Sequence, residues 1–242
     1  MTDKTFSTTT VPPQKSVVDA KLKPEAELHL LVGGAYKDPK GVTHPYGHTA
    51  LYIRLQGKDY IYDFGRYRDT IAENLGFGIE LTGIHSPRGE GILKIWNNFN
   101  AYIRSENSYG RTTWGYQYFI FDAQAQRSVD FFNVLIEGIK PYDVLPKKNV
   151  AFYKLKQDYF ALGPNCTTLS LDGAKKAIPK IVDGSEKFIA PGDVLDWSVR
   201  KAMEAKYGTP KHLFLPANLK KYLDTAPAVR IDGKKTYAAS SG

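Results

Sequence analysis

The clearest hydrophobic pattern in the chain runs from His48 to Gly65. His48 to Gln56 and Asp59 to Gly65 are both rich in β-formers, and Gly57-Lys58 between them reads as a two-residue turn. In that register Ile53 faces Tyr62, Leu51 faces Phe64 and Leu55 faces Tyr60, so the bulky apolar residues share one face. The other face carries His48, Ala50, Tyr52 and Arg54 beside Ile61, Asp63 and Gly65. Further strands are expected over Glu27 to Val32, ended by Gly33-Gly34, over Gly115 to Phe121, and over Ala151 to Leu155.

Helical spacing appears later. Val129, Phe132, Leu135, Ile136 and Ile139 predict a helix from Ala123 to Ile139, with Asp122 as its N-cap. From Cys166 to Ile178, residues Leu169, Gly173 and Ala177 share a face with Cys166, and Pro179 stops the helix. Asp193 to Tyr207 and Pro216 to Leu223 read as further helices. The stretch 66–114 lacks a steady period and reads as an insertion that shapes a cleft. Met1 to Lys23 reads as a flexible arm and Ala226 to Gly242 as a frayed tail, leaving one α+β domain over 24–225 with an antiparallel sheet packed against helices.

Composition narrows the chemistry. With 242 residues, 42% hydrophobic and 13% aromatic, the chain has material for a real core. Its formal charge of +8 favours an anionic partner, or simply solubility. One cysteine excludes an internal disulfide and a multi-cysteine zinc site. No run of eighteen apolar residues occurs, and Met1 to Ala20 lacks the apolar stretch of a secretory leader, so synthesis as a soluble cytoplasmic chain is expected.

A lone thiol is either a small buried hydrophobe or a nucleophile. Cys166 follows Gly163-Pro164-Asn165 and opens a helix, where free backbone N–H groups lower a thiol's pKa and can hold an oxyanion. His48 follows Gly47 at the start of a strand, with Asp63 on the next strand and the same face. A carboxylate there would orient the imidazole toward the thiol. The simple hairpin sets Asp63 opposite Tyr52, so a bulge or strong twist is needed to bring it to His48. The bland reading is a partly exposed His–Asp pair on a sheet face. His29, His44, His85 and His212 are expected to be non-catalytic, and no metal or cofactor is expected.

Gly47-His48-Thr49-Ala50-Leu51-Tyr52-Ile53, then Tyr60-Ile61-Tyr62-Asp63-Phe64-Gly65, then Asn165-Cys166-Thr167-Thr168-Leu169, resembles the permuted branch of the NlpC-type papain-like superfamily. That branch includes cell-wall amidases and lecithin–retinol acyltransferase relatives. The resemblance covers roughly 27–179 and implies a papain-like core with Cys166 as nucleophile, His48 as base and Asp63 as orienting residue. Relatives often carry His, Asn or Gln in the third position.

The expected function is a cysteine amidase or endopeptidase that cuts peptidoglycan stem peptides through a thioester. Peptidoglycan or another anionic polymer is the expected partner. Absence of a leader further suggests an antibacterial effector of the type VI secretion kind, delivered to a target-cell periplasm, with a cognate immunity protein and a secretion component as partners. Alternatives are a lipid acyltransferase or phospholipase, a protein-directed cysteine peptidase or deamidase, and a non-catalytic basic binding module. The aromatics around Trp96 and Trp114 lack interleaved basic residues, which argues against nucleic acid.

Overall fold

A computed structural model describes residues 23–37, 43–44, 46–65, 70–71, 88–160, 162–193 and 197–238. The expected arm, apart from Lys23, and most of 66–87, including His85, lie outside the described residues.

The fold is α+β, built on an eight-stranded sheet. Its strands are β1 (Ala26–Gly33), β2 (His48–Leu55), β3 (Lys58–Gly65), β4 (Ile92–Trp96), β5 (Thr113–Ile120), β6 (Asp143–Leu145), β7 (Val150–Lys154) and β8 (Gly233–Tyr237). The order across the sheet is β6-β7-β4-β3-β2-β1-β5-β8, and every neighbouring pair is antiparallel. The helices are α1 (Phe99–Ser108), α2 (Asp122–Leu135), α3 (Cys166–Ala177), α4 (Trp197–Tyr207) and α5 (Pro216–Thr225). Among the described residues no helix is long and apolar enough to cross a membrane.

Alternation along β1, β2 and β3 creates a sheet with two buried faces. Leu28, Leu30, Leu51, Ile53, Tyr62 and Phe64 point to one face and meet Val129, Phe132, Leu169, Leu219 and Tyr222 of α2, α3 and α5. Tyr62 lies flat on Phe132 with ring centroids 3.7 Å apart, which ties β3 to α2. Leu31, Ala50, Tyr52, Ile61 and Trp96 point to the other face, where Ala101, Tyr102 and Ile103 of α1 cover them.

The hairpin differs from the expectation in register. Gln56 and Gly57 form the turn, both with positive φ (51° and 75°), and Leu55 pairs with Lys58. Leu51 therefore faces Tyr62 and Ala50 faces Asp63. A shift of two residues keeps every side chain on its expected face, because the side-chain period is two.

Other expectations also need correction. The stretch 66–114 is not merely an insertion, because β4 sits inside the sheet beside β3 and α1 covers the second face. The polar cluster Trp96 to Asn100 is where strand ends and helix begins, with Asn98 capping α1 by accepting from the N–H of Ala101 at 2.8 Å. Asp122 is the first residue of α2 rather than its cap. The cap position belongs to Phe121, whose N–H donates to the Gln124 side chain at 3.0 Å. Within the expected frayed tail, β8 pairs with β5 along a sheet edge.

Candidate active site

Cys166 is the first residue of α3. Asn165 caps that helix: its Oδ1 accepts from the N–H of Thr168 at 3.0 Å, while its own N–H donates to Thr168 Oγ1 at 2.8 Å. The Asn165 amide also donates to the carbonyl of Phe214 at 2.9 Å, anchoring the cap from outside the helix. With Thr168 served by the cap, the N–H of Cys166 lies at a helix start where the ladder supplies no acceptor. Asn-Cys-Thr-Thr is thus a local instruction that sets a sulfur at the positive end of a helix.

His48 opens β2, immediately after Gly47. The turn into the strand needs glycine, because φ there is +67° and a Cβ would run into the carbonyl oxygen of Gly33. The imidazole Nε2 stands 2.6 Å from Asp63 Oδ1. The observed register makes this possible: Asp63 is opposite Ala50, diagonal to His48, and the small Ala50 side chain leaves the space open. A bulge is not required. The second Asp63 oxygen accepts from the indole N–H of Trp96 at 3.4 Å.

The thiol is hydrogen-bonded to His48. With Nε2 held by Asp63, Nδ1 is the ring nitrogen left to serve the sulfur. A second bond, between Thr49 Oγ1 and Thr167 Oγ1 at 3.0 Å, joins the residue after His48 to the residue after Cys166. It pins β2 to the first turn of α3, so base and nucleophile are held by adjoining residues. The hydroxyl of Tyr159 lies 3.8 Å from the sulfur and the backbone N–H of Thr49 also serves it. Tyr159 is placed by a short strand, Tyr159–Phe160, that pairs with Arg88–Gly89, and by its ring contact with Phe64.

Burial and charge act in opposition here. Cys166 is 4% exposed, and the His48 and Asp63 side chains 12% and 3%. Burial alone would push the thiol up, but attraction to the imidazolium, with the hydrogen bonds from His48, Thr49 and Tyr159, brings it below its ordinary value. Burial alone would likewise lower His48, but the Asp63 carboxylate and the Cys166 thiolate raise it to about 10. Both directions favour a thiolate paired with an imidazolium. A carboxylate, an imidazolium and a thiolate in sequence, next to a helix start, can attack a carbonyl and return a proton to a leaving group.

The three expected site residues come together. Tyr159, Thr49 and Trp96 were not anticipated as neighbours of the site; only the spacing of Tyr159 seven positions before Cys166 lay in the sequence, with no pattern to mark it. His29 lies elsewhere on the sheet, bonded to Glu27 at 3.0 Å and packed against Tyr52, and His212 is exposed. Among the described residues no group of three or more His, Cys, Asp and Glu side chains is arranged to hold a metal.

The chain matches no family model, no curated protein and no solved structure.

Proposed function

We propose that this chain is a cysteine hydrolase on a papain-like core in permuted order, with Cys166 as nucleophile, His48 as base and acid, and Asp63 as the residue that orients His48. The observation that carries this reading is the continuous line Asp63–His48–Cys166 ending on a helix N-terminus, with the thiol lowered and the imidazole raised. Structural cysteines in apolar surroundings are shifted the opposite way.

The reaction follows from the charges. The Cys166 thiolate attacks an amide carbonyl carbon, and the resulting oxyanion is received by the Cys166 N–H and the Tyr159 hydroxyl. His48 gives its proton to the departing amine as the C–N bond breaks, leaving a thioester. Water then attacks the thioester, His48 takes its proton, and the C–S bond breaks to release the acid and restore the thiolate beside the imidazolium. Asp63 stabilises the imidazolium through both steps.

The substrate class we propose is the stem peptide of peptidoglycan, which the +8 charge suits because the wall polymer is anionic. Digestion of purified peptidoglycan, with mass spectrometry of the soluble fragments, tests this directly. New peptide termini produced by the wild type and lost in Cys166→Ala, with an unchanged circular dichroism spectrum, are expected. Equal digestion by Cys166→Ala overturns the cysteine mechanism; cleavage of a lipid ester with an untouched wall overturns the substrate class alone.

A further inference from the structure

Asp63 has a third neighbour besides His48 and Trp96. The pairing of β3 with β4 sets Lys94 directly opposite Asp63, so both side chains stand on the same face with Cβ atoms about 4.5–5.5 Å apart. Lys94 is half-buried, and its Nζ lies 5.6 Å from the ring centroid of Phe152, its partner on β7. A lysine so placed has left much of its hydration behind in a sheet row that reads Ala50, Asp63, Lys94, Phe152. A long apolar residue would pack on Phe152 equally well, so packing alone does not account for the ammonium.

The surrounding charges alternate. Glu106 and Tyr102 come down from α1 and Arg111 from the segment before β5. Arg111 binds Glu106 at 2.7 Å in a pair that is itself buried. Burial lowers the Lys94 ammonium, Asp63 and Glu106 offset part of that, and Arg111 adds to the lowering. Among the described residues His48 from β2, Cys166 from α3 and the Tyr109 phenol just after α1 stand with them. With the thiolate and imidazolium in place there are three cations, Lys94, Arg111 and His48, and three anions, Asp63, Glu106 and Cys166.

We propose that Lys94 is a positioning residue that sets the pH window of the Cys166–His48 pair by acting through Asp63. A cation beside Asp63 weakens the negative field that His48 feels, so the imidazolium gives up its proton at lower pH than Asp63 alone would dictate. The same cation favours the thiolate, which then persists to lower pH. Lys94 therefore slides the window downward wherever it remains charged, and so acts mainly on the acid limb, because burial lowers its own ammonium, without touching the reacting atoms. A merely structural lysine would alter stability or the height of the profile and leave its limbs in place.

The inference rests on the reading of Cys166 and His48 as a reactive pair, and the experiment separates the two. The rate of Cys166 alkylation by iodoacetamide is measured against pH on the full chain for wild type, Lys94→Met, Lys94→Gln and Lys94→Arg, with a thermal melt of each. The His48 ring is titrated by NMR in parallel. The wild type is expected to show an acid limb below that of a free thiol. In Lys94→Met the alkylation limb should rise by roughly 0.5–1 pH unit, a three- to tenfold rate loss on the acid side, and the His48 titration should rise by less, since Lys94 is itself losing its proton in that range. Lys94→Gln gives the same readout in a polar side chain should the Met variant fail to fold. Lys94→Arg should keep the wild-type limbs. Unmoved limbs in both neutral variants, or an Arg variant that shifts like them, overturn the role of Lys94. A wild type whose limb matches a free thiol overturns the reactive pair itself, and this inference with it.

Discussion

Gly33 and Arg111 share one volume: a Cβ on Gly33 would overlap the Arg111 side chain and lie 3.3 Å from Glu106 Oε2. Gly33 pairs with His48 on one side and Thr113 on the other, so the Arg111–Glu106 pair fills the gap beside His48. The Arg111 guanidinium continues over the Tyr36 ring at 4.5 Å, tying the segment after β1 to this wall. Gly33→Ala should destabilise the fold by about 1–3 kcal/mol, because an added methyl must displace a buried ion pair. Urea denaturation measures it; an unchanged midpoint would mean that the wall yields freely.

Asp63→Asn tests the charge on the orienting residue. The carboxylate is the strongest force raising His48 to about 10, against burial, which lowers it. With an amide in its place the ring is still held but the imidazolium loses its counter-charge. The His48 titration should move down toward its ordinary 6.5, so the alkaline limb of hydrolysis falls with it, while the acid limb, set by the thiol, moves much less. His48→Ala should be the more damaging change at every pH. A pH–rate profile of kcat/KM reads both, and an alkaline limb that stays in place in Asp63→Asn would deny Asp63 its electrostatic part.

Tyr159→Phe isolates one hydroxyl beside the sulfur. If that group receives the oxyanion, kcat should drop by about 100-fold or more while KM changes little. If it serves only to hold the resting thiolate, alkylation by iodoacetamide would slow instead and kcat would follow it. Measuring both rates on the same variant decides between these roles.

Thr49→Val removes one half of the buried bond that joins β2 to α3, leaving Thr167 Oγ1 without that partner. A cost of about 1–3 kcal/mol is expected from the single change. Thr49→Val with Thr167→Val should recover part of it, since two apolar groups of similar shape replace a bonded pair. Chemical denaturation of the two single variants and the double gives the coupling, and strict additivity would argue that the bond contributes nothing.

Much of the site was legible because its pieces are local. Asn-Cys-Thr-Thr carries its own cap, and Gly-His carries its own turn. The hairpin gave the right faces from alternation alone, yet the wrong register, since a primed turn demands positive φ at both central residues and Gln56 accepts that conformation with Gly57 second. The true register is what brings Asp63 to His48, so the misfit in the simple hairpin was an error of turn placement and not a bulge. Other elements left no periodic trace. Ile92 to Trp96 carries apolar residues on both faces of an interior strand and does not alternate; α1 begins among asparagines; and β8, with Lys234 and Lys235 exposed on an edge, reads as a polar tail. Tyr159 and Lys94 reach the site only through strand pairing, which no short motif announces.

The bond between Thr49 and Thr167 spans 118 positions, and that span has a consequence in time. His48 and Asp63 emerge during synthesis well before Cys166, by about 10 seconds at ordinary elongation rates. Until α3 docks on β2, the thiol lacks the imidazole, the Thr49 N–H and the fixed helix start that surround it in the finished fold. The lowering of the thiol is thus a property of the finished sheet and not of any segment. A nascent chain carries only an ordinary thiol, and any opening that lifts α3 from β2 returns it to that condition. The alkylation rate of a single sulfur therefore reports how much of the population keeps that seam closed.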